Sequence, residues 1–296
     1  MILPSWRPGA ARDRLVALLD ASEEIPEEER LAVFDNDGTL WCERPHYVQE
    51  AFLIDALARR AAEDPALRER EEFRALLDAD AEAIGRIGMV RIAVALMELF
   101  AGQDPRDYTS ESRAFAERWV HPTLGVHCEG LVYLPMLELL EELRRRGWTI
   151  GIVSGGGVEF VRAVSRRLYG VPPELVVGSV IEHELTDDGE LRRTAKILGA
   201  VNEGATKVMN LQGALGRRPR FAAGNSGGDT EMLAWTAAGG GLALVLEHDD
   251  AEREFAYEGR AESFAQAESL GDTARREGWA VVSMRDDWDR VFPPAG

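Results

Sequence analysis

The stretch LAVFDNDGTLW, residues 31–41, joins a short apolar run to a cluster of acidic and small residues. The run from Leu31 to Phe34 is followed at once by an aspartate. Such a run, bounded by polar residues and glycine, is typical of a buried strand in a parallel sheet. In open α/β sheets ligands bind beyond the carboxyl ends of the strands. The stretch therefore predicts a core strand whose last residue leads into a ligand-binding loop.

Strand and helix patterns alternate through the second half of the chain, which predicts a mostly parallel sheet with helices on both faces. Helical spacing recurs in residues 10–20, 135–147, 158–170, 207–216 and 231–239, and extended apolar runs recur in 148–154, 174–185, 220–226, 242–249 and 279–284. Within residues 181–194, two extended runs flank Asp187-Asp188-Gly189, which predicts a β-hairpin.

The interval from about residue 45 to 134 follows a different pattern. Its segments 49–64, 71–87 and 89–102 have helical periodicity, and no convincing strand lies among them. We therefore expect an α/β core formed by residues 1–44 and 135–296, with residues 45–134 inserted as a helical domain.

Composition excludes several classes of function. The formal net charge of -18 repels polyanions, so nucleic acid is not an expected partner. No apolar stretch approaches the roughly 18 residues of a membrane-spanning helix, and no membrane partner is expected. The two cysteines, Cys42 and Cys128, have neither CxxC nor zinc-type spacing, which is typical of a reducing compartment. The interpretation is a soluble, cytoplasmic protein.

Small polar clusters follow three of the predicted strands, at residues 35–39, 154–157 and 224–229. Asp35 and Asp37 are separated by one residue, and their mutual repulsion favours a hard divalent cation such as Mg²⁺. A third carboxylate in the last cluster would complete the protein ligands. Taken alone, the acidic string of residues 35–39 also fits a turn with no chemistry.

The string FDNDGTLW, residues 34–41, resembles the first motif of the haloacid dehalogenase-like superfamily, most of whose members are phosphatases. The resemblance implies a Rossmann-like α/β core with an inserted α-helical cap, and Mg²⁺ as cofactor. It also implies that Asp35 attacks phosphorus and forms an aspartyl-phosphate. Asp37 would protonate the leaving oxygen and then activate water, while its backbone carbonyl binds the metal.

Three further motifs complete the resemblance. Ser154 matches the hydroxyl that donates to phosphoryl oxygens, and Lys207 matches the lysine that offsets charge around the nucleophile. Asn225 and Asp229 stand where members similar to phosphoserine phosphatase carry two aspartates. The resemblance makes Asp229 the preferred metal ligand and Asn225 a neutral second ligand that also contacts phosphate. Phosphate binding is further assigned to Thr39 and Gly155.

The resemblance covers essentially the whole chain and points to a bacterial phosphatase-like subfamily, distantly similar to phosphoserine phosphatase. It includes the strings IVSGGGVEFVR, YGVPPELVVGS and GNSGGDTEMLAWT. Asp37 favours hydrolysis of a small phosphorylated metabolite. A phosphomutase of the same superfamily remains an alternative, as does a catalytically weak phosphate-binding or regulatory protein, since Asn225 removes one negative charge.

Substrate-side residues are expected where motif one leads into the cap. Arg44 occupies the position of the glutamate that meets the ammonium group in proteins resembling phosphoserine phosphatase, and Glu43 lies one residue earlier. Together with His46, Tyr47 and Gln49, these residues are expected near the cleft. Trp41 is expected to pack beneath this hinge, and residues 249–250 to begin a helix.

Overall fold

The computed structural model of the protein describes residues 2–261 and 263–294. The strands are β1 (Leu31–Phe34), β2 (Thr149–Gly157), β3 (Val176–Ser179), β4 (Ile181–Leu185), β5 (Leu191–Ile197), β6 (Phe221–Gly224), β7 (Leu242–Asp249), β8 (Ala256–Tyr257) and β9 (Ala280–Ser283). The α-helices are α1 (Ala10–Asp20), α2 (Val48–Glu63), α3 (Glu71–Leu77), α4 (Ala81–Ile87), α5 (Met89–Leu99), α6 (Pro105–Arg118), α7 (Leu134–Arg145), α8 (Val158–Tyr169), α9 (Ala205–Leu215), α10 (Thr230–Ala238), α11 (Leu270–Glu277) and α12 (Met284–Asp287).

The predicted strand at residues 31–34 lies in the middle of a parallel sheet of order β3-β2-β1-β6-β7-β9. All residues of β1 and β6 are buried, as in strands covered by helices on both faces. The short β8 pairs antiparallel with the end of β7. The predicted α/β fold with a mostly parallel sheet is confirmed.

Alternate residues of β1 serve the two faces of the sheet. Ala32 and Phe34 belong to the larger apolar cluster, whereas Leu31 and Val33 pack in a second cluster with Leu211 of α9. Helices therefore cover both faces, and the carboxyl-terminal edge of the sheet is left for polar residues.

The helical insert, defined here as α2 to α6, follows β1 directly. The predicted helical segment 71–87 is two helices, because Ala79 has a positive φ of 51° and the Asp80 side chain caps α4 by accepting from the Ala83 N–H. Helix α6, which the apolar periodicity did not single out, begins with Asp104 as cap and Pro105 in its first turn.

The predicted hairpin is formed by β4 and β5, which pair antiparallel across residues 186–190. It also contacts the helical insert through the backbone. The N–H of Gly102 donates to the Arg193 carbonyl at 2.8 Å, and the Arg193 N–H donates to the Gln103 carbonyl at 2.9 Å. The hairpin and the insert therefore meet above the same edge of the sheet.

Residues 251–254 form a turn and not the expected helix, because Asp250 accepts from the N–H groups of Glu252 and Arg253 and the chain then enters β8. Cys42 and Cys128 are both free and buried. In residues 2–261 and 263–294, none of the helices combines the length and apolarity needed to cross a membrane.

Candidate active site

The three polar clusters meet because their strands are adjacent and in register. Leu31 pairs with Thr149 of β2, and Ala32 pairs with Phe221 of β6. The carboxyl ends of these strands consequently lie side by side. The N–H of Asp35 continues this register, since it donates to the carbonyl of Ala223 at 2.9 Å.

Lys207 links two of the clusters from the first turn of α9. Its Nζ atom lies 2.7 Å from Oδ1 of Asp35 and 2.6 Å from Oδ1 of Asp229. All three side chains are almost completely buried. Burial lowers the pKa of Lys207, but the two carboxylates outweigh it and raise the pKa above its ordinary value. One cation thus neutralises part of a doubly acidic site.

Burial and the neighbouring carboxylates of Asp229 and Asp37 oppose the effect of Lys207 on the pKa of Asp35. Burial raises the pKa of Asp35 well above its ordinary value and the charge of Asp229 raises it further, while Lys207 lowers it. Because Lys207 holds Oδ1, the second oxygen, Oδ2, is the atom left for chemistry. Asp35 and Lys207 both line the large cavity above the sheet.

Asp37 lies beside Asp35 at the cavity and is oriented by a residue that sequence reasoning treated as packing. The indole N–H of Trp41 donates to Oδ1 of Asp37 at 2.8 Å, and the Ser154 hydroxyl lies 3.5 Å from Oδ2. Burial is the largest influence on Asp37 and raises the pKa of this carboxyl. A raised pKa favours a group that must carry a proton to a leaving oxygen.

Ser154 is fully buried. The three glycines that follow it, residues 155–157, form a glycine turn that lines the cavity. The Ser154 hydroxyl accepts from the Gly156 N–H at 3.0 Å, and the Gly157 N–H donates to Oε1 of Gln49 at 2.9 Å. A Cβ on Gly157 would lie only 2.6 Å from the Gln49 amide nitrogen. A larger residue at this position would therefore displace the Gln49 amide from the turn.

Asp229, the predicted metal ligand, lies beneath the floor of the site. Its side chain is fully buried, and Oδ1 is held by Lys207. Its Oδ2 accepts from the backbone N–H groups of Asn225 and Ser226, both at 3.1 Å. These contacts orient Lys207 and the turn after β6, and the role of Asp229 as a metal ligand stays a prediction.

Asn225 connects two other predicted residues at the edge of the site. The Thr39 hydroxyl lies 3.3 Å from Oδ1 of Asn225 and 3.5 Å from Oδ2 of Asp35. The Asn225 amide nitrogen donates to Glu43 at 3.2 Å. Glu43 is 5% exposed, so a buried carboxylate stands directly beside the neutral amide.

Gly38 is required where these groups crowd together. Its φ is +71°, and a Cβ there would lie 1.9 Å from the Asn225 amide nitrogen and 2.9 Å from Cδ of Glu43. Behind it, Nε2 of His248 donates to the Gly38 carbonyl at 2.8 Å, and Glu254 faces Nδ1 at 3.2 Å. His248, which the sequence places at the ligand-facing edge as a conceivable metal or cap contact, supports the loop after β1.

We expect Gly38→Ala to lower the free energy of unfolding by more than backbone strain alone. A positive φ costs an alanine about 1–2 kcal/mol, and the contact with Asn225 adds to it. Gly125→Ala is the matched control, because its φ is +67° and nothing lies within 4 Å of its Cβ. Chemical denaturation of both variants measures the difference. Equal losses would contradict the crowding described here.

Glu43 makes the stability of the protein depend on pH. Burial raises its pKa from 4.5 to about 7, against the smaller lowering effects of Tyr257 and His248. The unfolded chain releases this proton first, so the Glu43 contribution to stability falls as pH rises from 4.5 to about 7.

We therefore expect Glu43→Gln to stabilise metal-free protein above pH 7, by up to about 3 kcal/mol, and to have little effect below pH 4.5. Denaturation in a chelator across this pH range tests the sign. A variant whose stability runs parallel to that of the unmodified protein at every pH would contradict the burial of an ionisable Glu43.

A cavity of about 600 Å³ lies above these groups. Six of the predicted site residues line it: Asp35, Asp37, Glu43, Arg44, Gly155 and Lys207. The other four, Thr39, Ser154, Asn225 and Asp229, are buried and do not line it. His46, Tyr47 and Gln49 also line it. Arg44 stacks over the Tyr257 ring, with its guanidinium carbon 4.4 Å from the ring centroid.

The donor set fits a magnesium ion that keeps other oxygens among its ligands. Within the described chain, no three His, Cys, Asp or Glu side chains group as an all-protein metal site. Mg²⁺ usually takes one or two protein carboxylates and completes its shell with water and phosphate. Oδ2 of Asp35 and Oδ1 of Asn225 have only long contacts to Thr39 and retain lone pairs. Asp35 and Asn225 are therefore suitable side-chain ligands, because a carboxylate can bind a metal through one oxygen while the other reacts.

The parallel sheet and its converging aspartates, lysine and serine define an α/β enzyme whose site lies at the carboxyl ends of the strands. The family model of haloacid dehalogenase-like hydrolases matches residues 32–234. The chain belongs to that family. No curated protein matches the chain in a sequence comparison.

Solved structures similar to the protein cover most of its length. A Bordetella pertussis Tohama I protein of unknown function has 19% identity and a TM-score of 0.53, covering 86% of this chain and 98% of its own. A functionally unknown protein from Anaerococcus prevotii has 16% identity and a TM-score of 0.57, covering 91% and 90%. At these identities the likeness shows the fold alone.

Proposed function

We propose that the protein is a magnesium-dependent phosphomonoesterase that hydrolyses a small phosphorylated metabolite through an aspartyl-phosphate on Asp35. The observation that carries the proposal is the position of Lys207, which holds Oδ1 of Asp35 and leaves Oδ2 at the cavity. A carboxylate held in this way is pre-oriented as a nucleophile. Mg²⁺, when bound, would polarise the phosphate and offset its charge.

The residues divide the reaction between them. Oδ2 of Asp35 attacks phosphorus while Asp37 gives its proton to the leaving oxygen. Asp37 then takes a proton from the water that attacks the aspartyl-phosphate, so the enzyme returns to its starting state. Trp41 holds Asp37 toward this proton transfer, as the 2.8 Å indole contact supports. Lys207 offsets the charge on Asp35 and the phosphoryl group throughout.

Three contacts extend the proposal to metal and phosphate binding. We assign Asp35, Asn225 and Asp229 as side-chain metal ligands, with the backbone carbonyl of Asp37. Asp35 would bind the metal through Oδ1, which has a second lone pair beside its contact with Lys207, so Oδ2 stays free for the attack. Above about pH 7 the carboxylate of Glu43, 3.2 Å from the Asn225 amide, supplies the local negative charge that an asparagine lacks. This neighbour argues against the weak phosphate-binding alternative, whose support was the neutral Asn225.

We further propose that residues 45–134 act as a cap over a core of residues 1–44 and 135–296. The insert supplies Gln49 to the glycine turn and, with the hairpin, covers the cavity. Closure of such a cover excludes water before attack. A cytoplasmic location remains a prediction from composition.

Turnover of para-nitrophenyl phosphate with and without Mg²⁺ tests the proposal, with the Asp35→Asn variant measured in parallel. The proposal expects metal-dependent release of phosphate by the unmodified protein alone. Metal-independent turnover, or equal turnover by Asp35→Asn, would contradict it. Under the phosphomutase alternative, phosphate would be transferred to a sugar phosphate rather than released to water.

A further inference from the structure

The cavity above Asp35 continues into the apolar interior of the helical insert. Leu76, Ile92 and Leu96 are among the side chains that form the insert's own core cluster, and each also lines the cavity. They are between 2% and 8% exposed, so the cavity opens the core of the insert to the cleft. The apolar core of helices α3 to α5 therefore forms one wall of the cavity.

The two ends of this cavity have opposite chemistry. Asp35, Asp37 and Lys207 form its floor at the sheet edge. Apolar side chains form the wall from the insert, including Leu53, Leu76, Ile92, Ala93, Leu96 and Phe100. Ile181 and Ile197 of the hairpin are further apolar lining residues. A molecule that fits both ends has a charged head and an apolar body.

We infer that the substrate is a phosphomonoester whose leaving group carries an extended apolar chain, which enters the insert and completes its core. The inference rests on the proposed function, because the phosphate end is positioned by the catalytic aspartates. About 600 Å³ is within the range of pockets that enclose a drug-sized ligand. Polar side chains such as His46, Gln49 and Arg193 also line the cavity, so the apolar chain is expected on the side formed by the insert.

The reaction with such a substrate is an ordinary ester hydrolysis. The bond between phosphorus and the alkyl oxygen breaks, and the proton from Asp37 goes to that oxygen, which leaves as an alcohol. Water then replaces Asp35 on phosphorus. The apolar chain takes no part in the chemistry, so its contribution should appear as binding energy that increases with buried length.

Hydrolysis of ethyl, butyl, hexyl and octyl phosphate tests the inference. We expect kcat/KM to rise by about threefold for each added methylene. Ala93→Phe should remove this dependence, because Ala93 lines the cavity and a larger side chain would fill it. Val94→Phe is the matched control, since Val94 is the next residue of α5 and is exposed like Ala93 but does not line the cavity.

Binding of the corresponding alkyl phosphonates to Asp35→Asn, measured by calorimetry, separates this inference from the proposed function. If the protein hydrolyses ethyl phosphate but kcat/KM does not change with chain length, the inference is overturned and the proposed function is left intact. Length-dependent phosphonate binding without hydrolysis of any ester would support the apolar site and overturn the phosphatase. If the protein neither hydrolyses any ester nor binds the phosphonates in a length-dependent way, both proposals are overturned. Equal effects of Ala93→Phe and Val94→Phe would overturn the placement of the apolar chain.

Discussion

Asp35→Asn is expected to lower kcat for phosphate ester hydrolysis by about ten-thousandfold or more, without loss of the fold. The amide is a poor nucleophile, and the aspartyl-phosphate cannot form. The substitution keeps the shape of the side chain and removes one of two buried negative charges beside Lys207. The Lys207 ammonium then pairs with Asp229 alone, so one positive charge neutralises one negative charge.

The stability of this variant distinguishes a chemical role from a structural one. Burial and Asp229 both raise the pKa of Asp35, so the ionised form of Asp35 lowers the stability of the metal-free protein. We expect the midpoint of thermal unfolding of Asp35→Asn, measured in a chelator, to equal or exceed that of the unmodified protein. Loss of activity accompanied by an equal loss of folded protein would contradict a nucleophilic role.

Lys207→Met is expected to damage both stability and catalysis. Methionine has nearly the same length but leaves Asp35 and Asp229 as neighbouring buried carboxylates without a cation. Removal of one partner from a buried ionic group costs about 3–5 kcal/mol of unfolding free energy. Loss of one charge-stabilising group also lowers kcat by about a hundredfold to a thousandfold.

The exposed Lys196, the other lysine of the sequence, provides the matched control. Lys196→Met should leave both the denaturation midpoint and kcat close to their starting values. In Lys207→Met the stability deficit should shrink as pH falls, because protonation relieves the two unpaired carboxylates. A deficit that is the same at every pH would indicate lost packing rather than lost charge.

The core strands could be predicted from sequence because each combines an apolar run with a clear boundary. The predicted strands at residues 31–34 and 242–249 match β1 and β7, and the hairpin turn at Asp187-Asp188-Gly189 lies between β4 and β5. Helix α6 was harder to detect. It places only a few buried side chains among many charged residues, and its start depends on the cap supplied by Asp104.

The candidate site was predictable where a motif places a residue at a strand end, and less so where a partner comes from a distant element. Asp35, Asp37 and Lys207 line one cavity, as the motif spacing predicted. The indole contact of Trp41 and the support of Gly38 by His248 depend on loop geometry that sequence periodicity does not contain. The inward-facing position of Asp229 depends on the same kind of local turn.

The central claim, that Asp35 carries the phosphoryl group, is tested most directly by acid quenching during turnover. Asp37→Asn should be used with para-nitrophenyl phosphate, whose leaving group needs no proton from Asp37, because the loss of the base that activates water then lets the intermediate accumulate. Peptide mass spectrometry of the quenched protein is expected to locate one phosphoryl group on Asp35. A phosphoryl group on another residue such as Ser154, or none on a protein that still releases phosphate, would contradict the account.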